Sequence, residues 1–177
     1  SCSHAFSVVD EIWGISRYTA NAYRGAPCPV HAMSLPVTVD AIEPQTRASF
    51  GLPENDYLFV FSFDCNSSLA RKNPAGVVRA FQRAFPRSGN QGVGLVLKAS
   101  HVNAKNKEWR RLKRMIDADP RIRLVDSMLR RPQVLALYKC CDCYVSLHRA
   151  EGFGRSLAEA LLLDLQLIAT GYSGNMD

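Results

Sequence analysis

Two observations on this chain of 177 residues predict an α/β fold built on a doubly wound parallel sheet. From residue 56 to residue 170, short runs rich in β-branched and aromatic residues alternate with amphipathic helical stretches, the sequence form of repeated strand–helix–strand units. A glycine loop, Gly152-Phe153-Gly154, stands where one such strand gives way to a helix. In open sheets of this class, ligands bind outside the carboxyl ends of the strands, where loops of this kind lie.

The elements follow in order. Residues 6–15 read as a strand or strand end, and Ser16 is a suitable N-cap for a helix running to about residue 24. Gly25, Pro27 and Pro29 punctuate the chain before an extended segment at 30–37, and a polar stretch containing proline then leads to Pro53 with the chemistry of a linker. Strands are expected at 57–63, 94–99, 122–125, 143–147 and 166–170, and helices at 74–85, 108–117, 132–139 and 156–163. Pro74 falls at a helical position where its missing N–H costs nothing. Trp109, Leu112, Met115 and Ile116 recur at helical spacing. Cys143, Tyr144, Val145 and Leu147 suit a buried strand.

Size and composition narrow the class. A chain of this length can bury about 70% of its unfolded surface as one domain, and no apolar run approaches transmembrane length. No secretion signal is visible, so the six cysteines are expected as reduced thiols. Cys140, Cys141 and Cys143 lack a paired Cys or His motif at zinc spacing, and small thiols at a helix-to-strand junction suit core packing. The net charge of +6 comes from scattered Lys and Arg, with a local concentration at Lys105, Lys107, Arg110, Arg111, Lys113 and Arg114. An apolar stripe on the same stretch makes that run the solvated face of a helix; nucleic acid is not an expected partner, and anionic lipid stays open.

The run from 146 to 159 carries the chemistry. Gly152 and Gly154 allow positive φ and close approach of the backbone to a ligand, and the helix start beyond them favours an anion such as a diphosphate. Glu151 precedes the turn and Glu159 lies one turn into the helix, and carboxylates suit the paired hydroxyls of a sugar. Ser156-x-x-Glu159 is equally a capping box, which would occupy Glu159 with orphan amides, and Glu151 can be an ordinary loop acid.

With these residues the chain resembles the retaining nucleotide-sugar glycosyltransferases of family 4 (group 1), of GT-B fold. Their donor domain carries Glu-x7-Glu around a Phe-Gly pair, matched by Glu151, Phe153, Gly154 and Glu159. Arg71-Lys72-Asn73-Pro74 resembles the segment after that domain's first strand, and 169–177 the loop after the strand that follows the Glu-x7-Glu helix. The resemblance implies a C-terminal donor-binding domain at 40–177, shortened at its end, preceded at 1–39 by the tail of an acceptor domain and a linker.

The same resemblance implies roles. Glu151 would contact the transferred sugar and Glu159 the ribose hydroxyls, with the amides of Gly152, Phe153, Gly154 and Arg155 along the diphosphate and Met128 beside the base. The chain would transfer sugar from a nucleotide-diphosphate-sugar to an acceptor hydroxyl with retention. The acceptor would be a saccharide or lipid-linked saccharide, in polysaccharide biosynthesis, in the cytoplasm or at the inner membrane face. Charge on the departing phosphate needs fixed positive charge. Arg71 and Lys72 are the candidates, in place of a metal or other cofactor, because cations at the start of a helix oppose its dipole and so need another reason. The commoner family pattern has Gly-Arg-Leu at the first strand's end, where this chain has Ser62-Phe63-Asp64, so Arg71 would stand in for the missing arginine. Lys98, closing its strand, can reach phosphate or solvent, and His148 can reach the sugar or serve as a hydrogen-bonded structural residue. The other function consistent with the sequence is a nucleotide- or sugar-phosphate-binding module without transfer activity, and the donor half alone is expected to be inactive.

Overall fold

The structure, a computed structural model, describes residues 6, 8–39, 42–88 and 92–177. These fall into two compact units.

The smaller unit comprises the described part of Ser1–Val37 with Ala150–Arg155 and Gly171–Asp177. Its strands β1 (Ile12–Gly14) and β2 (Val30–Ala32) pair in parallel, Ile12 against Val30, on either side of helix α1 (Arg17–Ala22). Both strands are shorter than the apolar runs at 6–15 and 30–37 suggest, since each ladder can extend only as far as its partner, and Val8, Val9 and Leu35 lie exposed. Ser16 caps α1 as its residue type predicts: its Oγ accepts from the Thr19 amide at 3.1 Å and the Thr19 hydroxyl answers at the Ser16 amide.

The larger unit, Thr38–Arg149 with Ser156–Thr170, holds the main sheet. In chain order it runs β3 (Tyr57–Asp64), α2 (Leu69–Lys72), α3 (Pro74–Ala84), β4 (Val93–Ser100), α4 (Lys107–Asp117), β5 (Ile122–Val125), α5 (Arg131–Lys139), β6 (Cys143–Ser146), α6 (Arg155–Leu162) and β7 (Gln166–Ala169). All five strands are parallel and lie in the order β5-β4-β3-β6-β7. The order reverses at β3. Right-handed crossovers then set α3 and α4 on one face and α5 and α6 on the other, which is the doubly wound arrangement expected.

Burial on both faces explains the composition of the central strands. From Gly94 to Ala99 six consecutive residues of β4 are buried, and β3 contributes Leu58, Val60, Phe61 and Phe63 to the core. Val77, Val78 and Phe81 of α3, Trp109, Leu112 and Ile116 of α4, and Leu135 and Leu137 of α5 cover it. Cys141 and Cys143 are core residues, with Cys140 packed against them; burial pushes the Cys141 thiol well up. Among the described residues no group of three His, Cys, Asp or Glu is placed to hold a metal ion.

Three differences from the sequence reading have local causes. β4 continues through Ser100 because Asp64 of β3 pairs with Ser100, so Lys98 lies inside its strand rather than closing it. α2 is a single turn capped by Ser68, whose Oγ accepts from the Arg71 amide at 3.2 Å; one turn has no periodicity to read. α6 starts at Arg155, one residue ahead of the expected cap.

Two ionic clamps tie loops to the sheet. Arg47 donates to the carbonyls of Cys140 (2.9 Å) and Asp56 (2.6 Å) and to the Asp142 carboxylate (2.9 Å), which also accepts the Leu58 amide. Asp119, 1% exposed, is held by Arg121 at 2.8 Å, and Arg121 also donates to the Phe85 carbonyl and lies over the Phe81 ring.

Candidate functional site

Because the five strands are parallel, their carboxyl ends share one edge of the sheet, where the loops after β3, β4, β5 and β6 emerge. Arg71 and Lys72 close α2 on that edge. The Arg71 guanidinium donates to Ser67 Oγ at 2.7 Å and its carbonyl accepts the Arg149 amide at 2.8 Å, so the loop after β3 is tied to the segment after β6. Asn73 takes the left-handed conformation (φ 56°) and turns its carboxamide to the Leu147 carbonyl at 2.8 Å. A Cβ at Gly76 would come within 2.4 Å of that carboxamide, which fixes glycine there. The dipole argument from sequence is corrected: Arg71 and Lys72 lie in the last turn of α2, where cations are favourable, and not at the start of α3.

Lys98 is buried, 2% exposed, and its ammonium donates to the Ala99 carbonyl at 2.8 Å and to Ser100 Oγ at 3.2 Å. Burial lowers its pKa from the ordinary value, opposed by the charges of Asp126 and Asp64. A solvent-reaching role for Lys98 is thereby excluded. His148 is 1% exposed and its Nδ1 lies 3.0 Å from Ser146 Oγ, a ring fixed in place at the end of β6. Met128 is 70% exposed on the loop after β5, which removes core packing as the reason for it.

Glu159 is a buried carboxylate of the larger unit, 5% exposed. It accepts from Arg131, the first residue of α5, whose other terminal nitrogen donates to the Thr38 carbonyl at 2.8 Å. The capping box of Ser156 with Glu159 does not form. Ser156 lies within α6 rather than at its cap. The buried phenols of Tyr138 and Tyr144 meet Ser62 Oγ, Tyr144 at 2.9 Å, and burial raises the pKa of both. Ser62 is thus the centre of a hydroxyl network joining β3, α5 and β6. Its departure from the commoner Gly-Arg-Leu pattern is the one sequence signal that pointed to it. Nothing in the sequence marked Arg131, whose partner lies 28 residues away.

The smaller unit holds the glycine loop. Glu151 is clamped through its backbone: its amide donates to Ser173 Oγ at 2.7 Å and its carbonyl accepts the Gly174 amide at 2.9 Å. Ser16 Oγ donates to the Gly152 carbonyl at 2.6 Å. A Cβ at Gly174 would lie 1.9 Å from that same carbonyl, so only glycine fits. Gly154 adopts φ 89°, as expected, but Gly152 does not need positive φ; its small size leaves room for Ile15, whose Cδ1 a Cβ would meet at 3.2 Å. Phe153 is half-buried and Arg155 exposed at the start of α6. Glu151 and Gly152 to Arg155 thus fall in the smaller unit, and Arg71, Lys72, Lys98, Met128, His148 and Glu159 in the larger.

No family model matches the chain, and no curated protein matches it by sequence. Solved structures do match in fold. HepE of Anabaena, solved with UDP and glucose, superposes with a TM-score of 0.78 at 16% identity over 97% of this chain and 47% of that one. The α,α-trehalose 6-phosphate synthase of Burkholderia multivorans gives 0.70 at 16% identity over 97% and 47%, and an E. coli trehalose-6-phosphate structure bound with UDP-2-fluoro glucose gives 0.69 at 8% over 94% and 47%. The chain spans about half the length of these structures. The fold is that of the Rossmann-like half of a GT-B glycosyltransferase.

Proposed function

We propose that this chain supplies the nucleotide-sugar donor site of a retaining, family 4-like glycosyltransferase. One observation carries the reading: a doubly wound parallel sheet of GT-B form bears Arg71-Lys72 after its first strand and Glu-x7-Glu after its fourth. In that reaction the bond from the sugar's anomeric carbon to the phosphate breaks, the acceptor oxygen bonds to that carbon, and the acceptor proton passes to the departing diphosphate. Arg71, Lys72 and the amides near Gly154 stabilise the charge that develops there without a metal. Lys98 adds charge near the phosphates, Glu151 contacts the sugar with His148, Glu159 the ribose and Met128 the base. Residues 1–39 serve as the tail of the acceptor domain and its linker, and 40–177 as the donor domain. The acceptor is a saccharide or lipid-linked saccharide, reached at the cytoplasmic side of a membrane. Among the described residues no helix is long and apolar enough to cross one.

The UDP and UDP-sugar complexes of the fold neighbours support trying uridine donors first. Isothermal titration of the chain with UDP-, GDP- and ADP-sugars is expected to give saturable binding to one of them that Glu159→Ala weakens about tenfold. Absence of binding to all three overturns the reading. A nucleotide- or sugar-phosphate-binding module without transfer is the second reading, since likeness of fold at 16% identity speaks for the donor-binding architecture and not for transfer. Transfer of labelled sugar by a polypeptide that unites this chain with an acceptor half would rule it out.

A further inference from the structure

A cationic cleft lies in the sheet unit, on the side of α3 and α4. It has a volume of about 360 Å³ and is walled by α2, the first two turns of α3 and of α4, and the segment after β6. Three arginines from three different elements line it: Arg79 on α3, Arg111 on α4 and Arg149 after β6, against a single acid, Glu108. None of the three guanidiniums makes an ion pair among the described residues. Arg149 is nonetheless fixed, since its guanidinium donates to the Ala70 carbonyl and its amide to the Arg71 carbonyl. One wall of the cleft is therefore pre-organised.

Unpaired arginines gathered on one concavity repel one another, and folding alone gives no reason to collect them from separate elements. The wall between them adds to the positive field. Asn73 spends its carboxamide on Leu147, so it leaves the start of the 11-residue helix α3 without a side-chain cap, and Ala75 of that first turn lines the cleft. The local balance, three guanidiniums against one carboxylate, matches a doubly charged oxyanion. Planar guanidiniums grip phosphate through paired N–H donors, and the volume accommodates a phosphate carried on a group of hexose size.

We propose that this cleft binds a soluble phosphate monoester, at a site separate from the donor residues Arg71 and Lys72. It does not depend on the glycosyltransferase reading. The test is a titration of the whole chain with inorganic phosphate and with glucose 6-phosphate, followed by amide chemical shifts. Saturable binding is expected, with shifts on α3 and α4, weakened at least about tenfold in Arg79→Gln/Arg111→Gln. Both arginines are exposed, so an unchanged melting temperature shows that the double variant keeps its fold. Three outcomes overturn the proposal: no saturation, loss of binding in Lys72→Gln with the double variant unaffected, or binding only to vesicles containing phosphatidylglycerol and to neither soluble phosphate.

Discussion

A carboxylate 5% exposed on α6 has to be neutralised where it stands, and Arg131 does this for Glu159 from the first residue of α5. Removing the cation takes from a buried carboxylate the guanidinium it pairs with, so Arg131→Ala is expected to destabilise the chain by about 3 kcal/mol, measured by urea unfolding. Arg131→Ala with Glu159→Gln should recover most of that loss, because the buried side chain is then uncharged. Asp119 obeys the same physics with a readable pH dependence. The hydrogen bond from Arg121 lowers its pKa below the ordinary 3.8, so the folded state holds the deprotonated form more tightly than the unfolded chain does. The stabilisation is complete above the unfolded value and is lost as pH falls through the lower folded one. Asp119→Asn is therefore expected to cost about 2 kcal/mol at pH 7 and progressively less below pH 4, seen as a flatter acid limb in unfolding free energy against pH.

At the scale of elements, the junction of α2 and α3 shows how one loop excludes a substitution that propensity would favour. Glycine to alanine within a helix ordinarily gains up to about 1 kcal/mol. At Gly76 the added Cβ would fall 2.4 Å from the Asn73 carboxamide and displace it from the Leu147 carbonyl. Gly76→Ala is expected to destabilise by about 1 kcal/mol instead. Asn73→Gly alters the same position without loss of the left-handed backbone, so adding it should return the sign to the ordinary one. Denaturant midpoints of the two single variants and the pair decide this. A gain in stability from Gly76→Ala alone would refute the account. The same junction carries Arg71 and Lys72, so the loop that presents the proposed phosphate ligands is held by backbone geometry as well as by side chains.

At the scale of the whole molecule, exposed apolar side chains on one side of the sheet bear on solution behaviour. Among the described residues β7 stands at an edge of the sheet, and Ile168 on it and Leu161 and Leu162 on α6 are each about half exposed. An apolar edge of this kind is prone to self-association. Light scattering on the isolated chain is expected to show an apparent mass that grows with concentration, and Leu162→Lys with Ile168→Lys should suppress the growth. An apparent mass independent of concentration would contradict this.

The parallel sheet was readable because burial on both faces demands nearly continuous apolar strands, and the helices because their stripes recur every three to four residues. For the same reason 122–125 matches β5 residue for residue, while 6–15 overran a strand whose length its partner fixes. The glycine loop and its two glutamates were readable as a motif, since local spacing carries that information. Which residue meets which charge was not. Arg131 against Glu159, Ser62 between two phenols and three arginines around one cleft are pairings between segments far apart in sequence. Periodicity describes a segment against its own axis; only the crossover connections, by ordering the strands and choosing the faces of the helices, bring those distant side chains together.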